Sequence, residues 1–301
     1  MSNCCRYFVS AGVGMFLVFH SVLQCSASED RAKNKWRSYR KGASVPISGL
    51  AMIGGKPAGS TFLVAHDSKG KTDQKLAVLT VSPEQLGYEP IAWPATDESP
   101  TDIEAIRAVP GSDDDYLVLT SSGVARHITI DADKYTMKVK SRFRLPIPDI
   151  GANLEGLALH QVENDLLIAW GHRGRTQEPG VIYWGKIDLA TQLVDQHGSL
   201  PFRVPWPKRD EVRHIADMVI DKNGILYVSS SSDPGKEGPF GSALYQAGAF
   251  SFRDGRALFE PDISRLYRTH RHKIEGIECV GNGFALATDD ENKGSAFLLL
   301  P

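Results

Sequence analysis

The sequence predicts an all-β fold, a single β-propeller of five four-stranded blades closed by a strand from the N-terminal segment. Three observations predict it. One short stretch recurs, as Leu154-Glu155-Gly156-Leu157, Ile274-Glu275-Gly276-Ile277 and the close variant Ile103-Glu104-Ala105-Ile106. Ile47-Ser48-Gly49-Leu50 and Ile215-Ala216-Asp217-Met218 are looser copies, and successive copies start 56, 51, 61 and 59 residues apart. Self-similarity at such a period, with strand-like content, marks a propeller. Secondly, Val, Ile, Leu, Tyr and Phe fall in short runs between clusters of Gly, Pro, Asn, Asp and Ser, with no amphipathic helix of useful length. Thirdly, the last unit lacks a strand that the leader could supply.

Residues 1–27 stand apart from the repeats. Arg6 is their only charge, Tyr7–Leu23 is apolar, and small residues precede the polar Ser28-Glu29-Asp30-Arg31. This is the pattern of a secretory signal, so the mature chain is expected to be secreted or periplasmic, without a transmembrane segment. A retained membrane anchor is the alternative, but the apolar run is short for spanning. A lipoprotein anchor at Cys25 is disfavoured, because Gln24 stands where Gly, Ala or Ser belongs. Residues 28–43 form a basic leader whose Lys35–Tyr39 is expected to complete the final blade. The propeller itself is expected over 44–301.

The units follow in order. The first is expected to hold strands at Ile47–Ile53, Thr61–His66, Leu76–Val81 and Tyr88–Trp93, with Gly54-Gly55 and Lys69-Gly70-Lys71 as turns. The second runs from Ile103 through Tyr116–Thr120 and Val124–Ile130 to Met137–Leu145; its run Asp113-Asp114-Asp115 lacks the spacing of a calcium loop and reads as a solvated turn. The third starts at Leu154, with strands at Leu166–Trp170 and Val181–Leu189 and an outer one near Pro201. The fourth starts at Ile215, with Ile225–Ser230, Ala243–Phe250 and Arg256–Phe259. Helical turns are expected at Asp149–Asn153 and Ile263–Tyr267. The fifth starts at Ile274 and offers only Phe284–Thr288 and Ala296–Leu300 before the chain stops. A closed ring leaves no sheet edge exposed, so the leader strand is needed there. A sixth blade would have to fit inside an interval of 59 or 61 residues, too short for two.

Composition excludes several functions. Lys+Arg 34 against Asp+Glu 36 gives a net charge of −2, which implies no nucleic-acid partner. Cys4, Cys5 and Cys25 leave with the signal and Cys279 remains alone, so neither a disulfide nor a thiolate zinc site is expected. There is no Gly-x-Ser-x-Gly elbow, P-loop, dinucleotide fingerprint or His-Glu-x-x-His. A hydrolase built on this chain would use metal-activated water or a carboxylate pair.

Propeller geometry brings the starts of the innermost strands and the ends of the second strands to one channel mouth. Glu104, Glu155 and Glu275 come from the first set. His66, Asp67, His172, Arg173, Asp233, Asp289 and Asp290 come from the second, and Arg213-His214 and His270-Arg271-His272-Lys273 enter from the linkers. A ring of carboxylates repels itself unless it is protonated, paired with Arg or Lys, or bound to a cation. Oxygen donors without thiolate suit Ca²⁺. The expected metal ligands are therefore Glu104, Glu155 and Glu275, with Asp217 or Asp289; the alternative is that these acids only hold adjacent blades in register. Arg173 and Arg175, flanked by Gly171 and Gly174, are the expected clamps for an anionic ligand, with His66, Asp67 and Asp233 beside them. His172, His214 and His272 are the acid–base candidates.

Leu154–Ala158, followed by Leu166-Leu167-Ile168-Ala169 and Gly171-His172-Arg173-Gly174, resembles secreted bacterial propellers of the phytase-like and esterase-like kind, with related families of unknown function. Ile274–Ile277 with Thr288-Asp289-Asp290-Glu291 is similar to the last blade of that group, and the resemblance spans Ile103–Pro301. It implies calcium and phosphoester cleavage. The chain departs from phytases proper in having five units rather than six, and in Ser48 and Ala216 where the pattern has Glu. The function expected is an exported monomer that binds a divalent cation and an anionic small molecule or ester substrate, as a metal-assisted hydrolase. The alternatives are a non-catalytic module for a surface protein or glycan, and a glycosidase, which would need two mouth carboxylates about 5–9.5 Å apart.

Overall fold

The computed structural model describes residues 35–39, 46–70, 74–147, 151–208 and 211–301. The expected secretory signal and most of the basic leader lie outside them. Five four-stranded antiparallel sheets form the blades. Blade 1 holds β2 (Gly49–Met52), β3 (Thr61–Ala65), β4 (Leu76–Val81) and β5 (Leu86–Ile91). Blade 2 holds β6 (Ile103–Ala108), β7 (Asp115–Thr120), β8 (Val124–Asp131) and β9 (Thr136–Arg144). Blade 3 holds β10 (Leu154–Val162), β11 (Asp165–His172), β12 (Gly180–Asp188) and β13 (Leu193–Phe202), and blade 4 holds β14 (Val212–Ile220), β15 (Ile225–Ser232), β16 (Gly241–Arg253) and β17 (Arg256–Thr269). Blade 5 consists of β18 (Ile274–Val280), β19 (Gly283–Thr288), β20 (Ser295–Leu300) and, outermost, β1 (Arg37–Tyr39).

The ring closes as the missing strand required. Strand β1 runs antiparallel to β20, with Arg37 opposite Phe297 and Tyr39 opposite Ser295. Side chains beside it fasten it to both neighbours of blade 5. Trp36 Nε1 donates to the Tyr267 hydroxyl of blade 4 at 3.1 Å, and Arg37 Nη1 donates to the Ser82 carbonyl of blade 1 at 2.6 Å.

Stability resides between the blades. Alternate residues of every strand face an adjacent sheet, and each of the five blade interfaces carries its own buried apolar cluster. Ile215, Met218, Tyr245 and Phe202 typify the one between blades 3 and 4; Leu50, Phe62 and Phe297 typify the one between blades 5 and 1. Each fully buried side chain of this size contributes about 1.5–3 kcal/mol.

One expected helical turn is overturned. Ile263–Tyr267 lies in β17, the longest strand of the molecule at 14 residues. Pro261 lies within the strand, a placement that an outermost strand tolerates where no ladder donor is needed. Register shifts in β16 at Leu244/Tyr245 and Gln246/Gly248 absorb the extra length. Asp149–Asn153 falls partly outside the described residues, and the one helical turn among those described is the 3-10 turn Glu291–Lys293.

The recurring Glu-Gly pair now has a local explanation. In β6, β10 and β18 the register slips between Ile103 and Ala105, Leu154 and Gly156, and Ile274 and Gly276. The Glu is therefore the extra residue of a β-bulge, the device that re-aims a side chain. The Gly lets neighbouring innermost strands approach: a Cβ on Gly156 would lie 2.6 Å from Met218 Cγ, and one on Gly49 would lie 2.9 Å from the Ile106 nitrogen.

Candidate functional site

In blade 4 the bulge is larger, and this changes the ring. Arg213 pairs with Ser231 and Asp217 with Ser229, so two extra residues separate them. The backbone bond from Asp233 N to Glu211 O repeats that from Arg173 N to Asn153 O in blade 3. Arg213 thus occupies the place that Glu155 holds in blade 3, rather than Ala216 as the sequence pattern suggested. Read around the channel, this level carries Ser48, Glu104, Glu155, Arg213 and Glu275.

Arg213 reaches the acids on either side of it. Its Nη1 lies 2.8 Å from Glu275 Oε1 and 3.4 Å from Glu155 Oε2, and its Nη2 donates to Asp233 Oδ2 at 2.5 Å. Arg173 Nη1 donates to Glu155 Oε1 at 2.9 Å. Lys273, 1% exposed, serves the far side: its Nζ is 2.7 Å from Asp289, 2.7 Å from Glu291, 3.4 Å from Glu275 and 4.0 Å from Asp233. Burial opposes the Lys273 charge, but Glu275 and Asp289 more than offset it and hold its pKa above the ordinary value. Burial likewise opposes the Arg213 charge, and Glu155, Glu275 and Asp233 outweigh it. Of the expected metal ligands, Glu155, Glu275 and Asp289 therefore already have protein counter-ions.

Asp217 is not at the mouth level. It lies deeper in the channel, fully buried, with Oδ1 2.6 Å from Arg107 Nη2 and Oδ2 accepting from Ile277 N at 2.9 Å. Arg107 also donates to the carbonyls of Leu50 at 2.6 Å and Met218 at 2.8 Å, so the pair ties blades 1, 2, 4 and 5 together. As a metal ligand Asp217 is thus corrected: its carboxylate is committed to Arg107 and to backbone amides.

Glu104 has a different neighbourhood. Its carboxylate groups with those of Asp67 and Asp102, one oxygen from each lying within 4.8 Å of the others. Asp102 accepts from Ser121 Oγ and has Lys69 Nζ at 3.7 Å. Burial, followed by the charges of Glu155, Asp67, Glu275 and Asp102, pushes the Glu104 pKa well above the carboxylate range. Burial and the Asp102 charge push Asp67 up to about 7, with Lys69 opposing.

The histidines divide. His66 is fully buried, with Nδ1 2.7 Å from the Pro46 carbonyl and Nε2 2.7 Å from the Tyr88 hydroxyl, and burial lowers its pKa to about 4. Both ring nitrogens are committed, so His66 does not serve as a ligand-binding residue. The Nδ1 of His172 contacts the Asn153 backbone at 3.0 Å, and that of His214 accepts from Val204 N at 3.2 Å. Burial, then the Arg203 charge, lowers the His214 pKa. His272 alone of the three acid–base candidates is oriented by a carboxylate, with Nδ1 2.6 Å from Asp290 Oδ2, while Trp36 packs on its ring at 4.4 Å.

Beside Arg213 opens a cavity of about 480 Å³, lined by Arg173, Arg175, Thr176, Gln177, Glu178, Glu211 and Asp233 among others. Arg175 is exposed there. The glycines serve the chain's own packing: a Cβ on Gly174 would lie 2.3 Å from Gly180 N, and one on Gly171 would lie 2.8 Å from Ile215. Sequence reading missed Asp102 and Arg107. A carboxylate two residues before Glu104 was the available signal for the first, and an Arg inside the apolar run Ile103–Ala108 for the second.

No family model matches the sequence, and no curated protein matches it. Among solved structures the chain is similar to an exo-1,5-α-L-arabinanase from a bovine ruminal metagenomic library, with a TM-score of 0.48 and 11% identity over 86% of this chain and 94% of that one. It is also similar to an endo-arabinase from Bacteroides thetaiotaomicron VPI-5482, with a TM-score of 0.46 and 10% identity over 87% and 97%. The five-bladed architecture rests on the chain's own sheets, and no activity passes across likenesses this loose. The resemblance to phytase-like propellers holds at the level of the propeller and gains no support beyond it. No helix among the described residues is long and apolar enough to cross a membrane.

Proposed function

We propose that the protein is an exported propeller whose channel mouth binds a divalent cation and a small anionic or ester ligand, and that it is a metal-assisted hydrolase of phosphate or carboxylate esters. One observation carries this reading: a cavity with Arg173, Arg175 and Arg213 on its wall opens at a channel mouth whose far side holds Asp67, Asp102 and Glu104, carboxylates that outnumber the one lysine near them. Such an excess favours a cation. A cation held there would supply charge to a developing oxyanion, and Ca²⁺ suits the oxygen donors. The guanidiniums would hold the ligand's anionic oxygens. His272, the acid–base candidate aligned by a carboxylate, Asp290, would be the proton carrier.

The test uses p-nitrophenyl phosphate and p-nitrophenyl acetate, with CaCl₂ or with chelator. Calcium-dependent release of nitrophenol, reduced at least tenfold in Arg173→Ala and unchanged in a distant surface variant, is expected. Absence of turnover over these esters and a wider glycoside panel would sink the hydrolase. A second reading, a non-catalytic module for a glycan, draws on the cavity's mixed lining, in which Thr176, Gln177, Glu178 and Asp233 offer hydroxyl-matching donors and acceptors. Saturable binding of an oligosaccharide without turnover would favour it.

A further inference from the structure

The geometry points to a hard divalent cation site on Asp67, Asp102 and Glu104, at the blade 1 and blade 2 side of the mouth and apart from the Glu155 and Glu275 pairs. It rests on the reading of a cation-binding mouth and specifies which residues hold the ion.

Equivalent positions establish the difference. The backbone bond from Ser121 N to Asp102 O repeats that from Asp289 N to Lys273 O, so Asp102 and Lys273 are the same place in two blades. Each stands two residues before a motif Glu. In blade 5 that place holds the ammonium that neutralises Glu275; in blade 2 it holds a second acid. Glu104 is only 8% exposed, and the trio's one ion pair among the described residues, Lys69 to Asp102, does not reach its carboxylate. Burying a carboxylate is costly unless it is paired, and this one faces two further acids. Independently, Asp67 Oδ1 is buried without a partner. Lys69, 78% exposed and 3.7 Å from Asp102, is the one described cation in ion-pair reach of the trio.

The spacing fits the ion class. Ligands on opposite sides of Ca²⁺ stand about 4.6–5.2 Å apart, twice the usual calcium–oxygen distance, and those of Mg²⁺ about 4.0–4.2 Å. The trio lies within 4.8 Å and contains neither His nor Cys, which disfavours Zn²⁺.

The test is calorimetric titration of the full chain with CaCl₂, alongside thermal unfolding with and without chelator. Wild type is expected to bind Ca²⁺. Glu104→Gln and Asp67→Asn are expected to weaken binding at least tenfold, whereas Glu291→Gln, on the neutralised side, leaves it unchanged. In chelator, Glu104→Gln is expected to melt above wild type, a result a merely structural carboxylate would not give, and one showing that the variant folds. Calcium binding that persists in Glu104→Gln and Asp67→Asn would overturn this site while leaving a cation-binding mouth in place. Absence of binding of Ca²⁺, Mg²⁺ or Mn²⁺ to wild type would overturn both.

Discussion

On the side of blades 3 to 5, Glu155, Asp233, Glu275, Asp289 and Glu291 are threaded by Arg173, Arg213 and Lys273 at 2.5–4.0 Å. On the side of blades 1 and 2, Asp67, Asp102 and Glu104 stand together with one exposed lysine, Lys69, beside Asp102. The motif delivers a buried Glu to both sides by the same bulge. What differs is the residue two places earlier, Lys273 or Asp102, and the Arg213 that blade 4 puts in the Glu position. The repeat therefore sets where a carboxylate points, and single departures from it set whether that carboxylate is finished by protein or left for a ligand.

The comparison is broken most forcefully at Lys273. Lys273→Met removes the 2.7 Å partner of both Asp289 and Glu291 and strands Glu275 beside Arg213 alone. Breaking a buried pair from one side costs about 3–5 kcal/mol, a fall in melting temperature of roughly 10 °C for a domain of this size. A loss below about 1 kcal/mol in thermal unfolding would mean that water screens this side as well, and the contrast between the halves would disappear.

The same substitution made on the two sides sharpens the contrast through its sign. Glu275→Gln takes a carboxylate from between Lys273 and Arg213, at 3.4 and 2.8 Å. Burial still lifts the Glu275 pKa to about 8, which holds the expected cost to about 1 kcal/mol. Glu104→Gln, measured in chelator, relieves repulsion and is expected to stabilise by about 1 kcal/mol. Saturating Ca²⁺ should reverse the order for Glu104, since wild type gains about 2.7 kcal/mol at a hundred times its dissociation constant and the variant does not. Equal signs for the two variants in chelator would show that the motif acids are interchangeable.

Much of this was legible in the sequence, and the boundary of legibility is physical. The motif copies, Glu-Gly in blades 3 and 5 and looser in the other three, locate the five innermost strands, because the bulge and the close approach between strands recur with them. The strand deficit of the last unit predicts closure by Lys35–Tyr39, since a ring cannot end on an open edge. The length of β17 is less legible, because Pro261 and Asp262, which signal a turn elsewhere, lie inside this outermost strand. At the mouth, the acids were foreseeable and their charge states were not. Arg213 reaches the Glu level only because two extra residues bulge from β14, and no local pattern marks that slip. Arg107 reads as one polar residue in an apolar strand, and its four-blade grip on the channel needs the third dimension.

The smallest expected effect on stability separates folding from ligand binding within the neutralised half. Arg173 is partly exposed and makes one ion pair, with a Glu155 that Arg213 also contacts. Its removal leaves no buried charge unpaired, so Arg173→Ala is expected to cost less than about 1 kcal/mol in thermal unfolding. Lys273, linked to it through Glu155, Arg213 and Glu275, is expected to cost several times more. Arg173 also lines the cavity, where its guanidinium can serve an incoming anion. The expected signature is a near-normal melting curve with at least a tenfold loss of anion affinity or ester turnover, and a weaker loss in Arg173→Lys, which keeps the charge without the fork. A melting point that falls as far as in Lys273→Met would make Arg173 another internal counter-ion, and the cavity would lose its clamp.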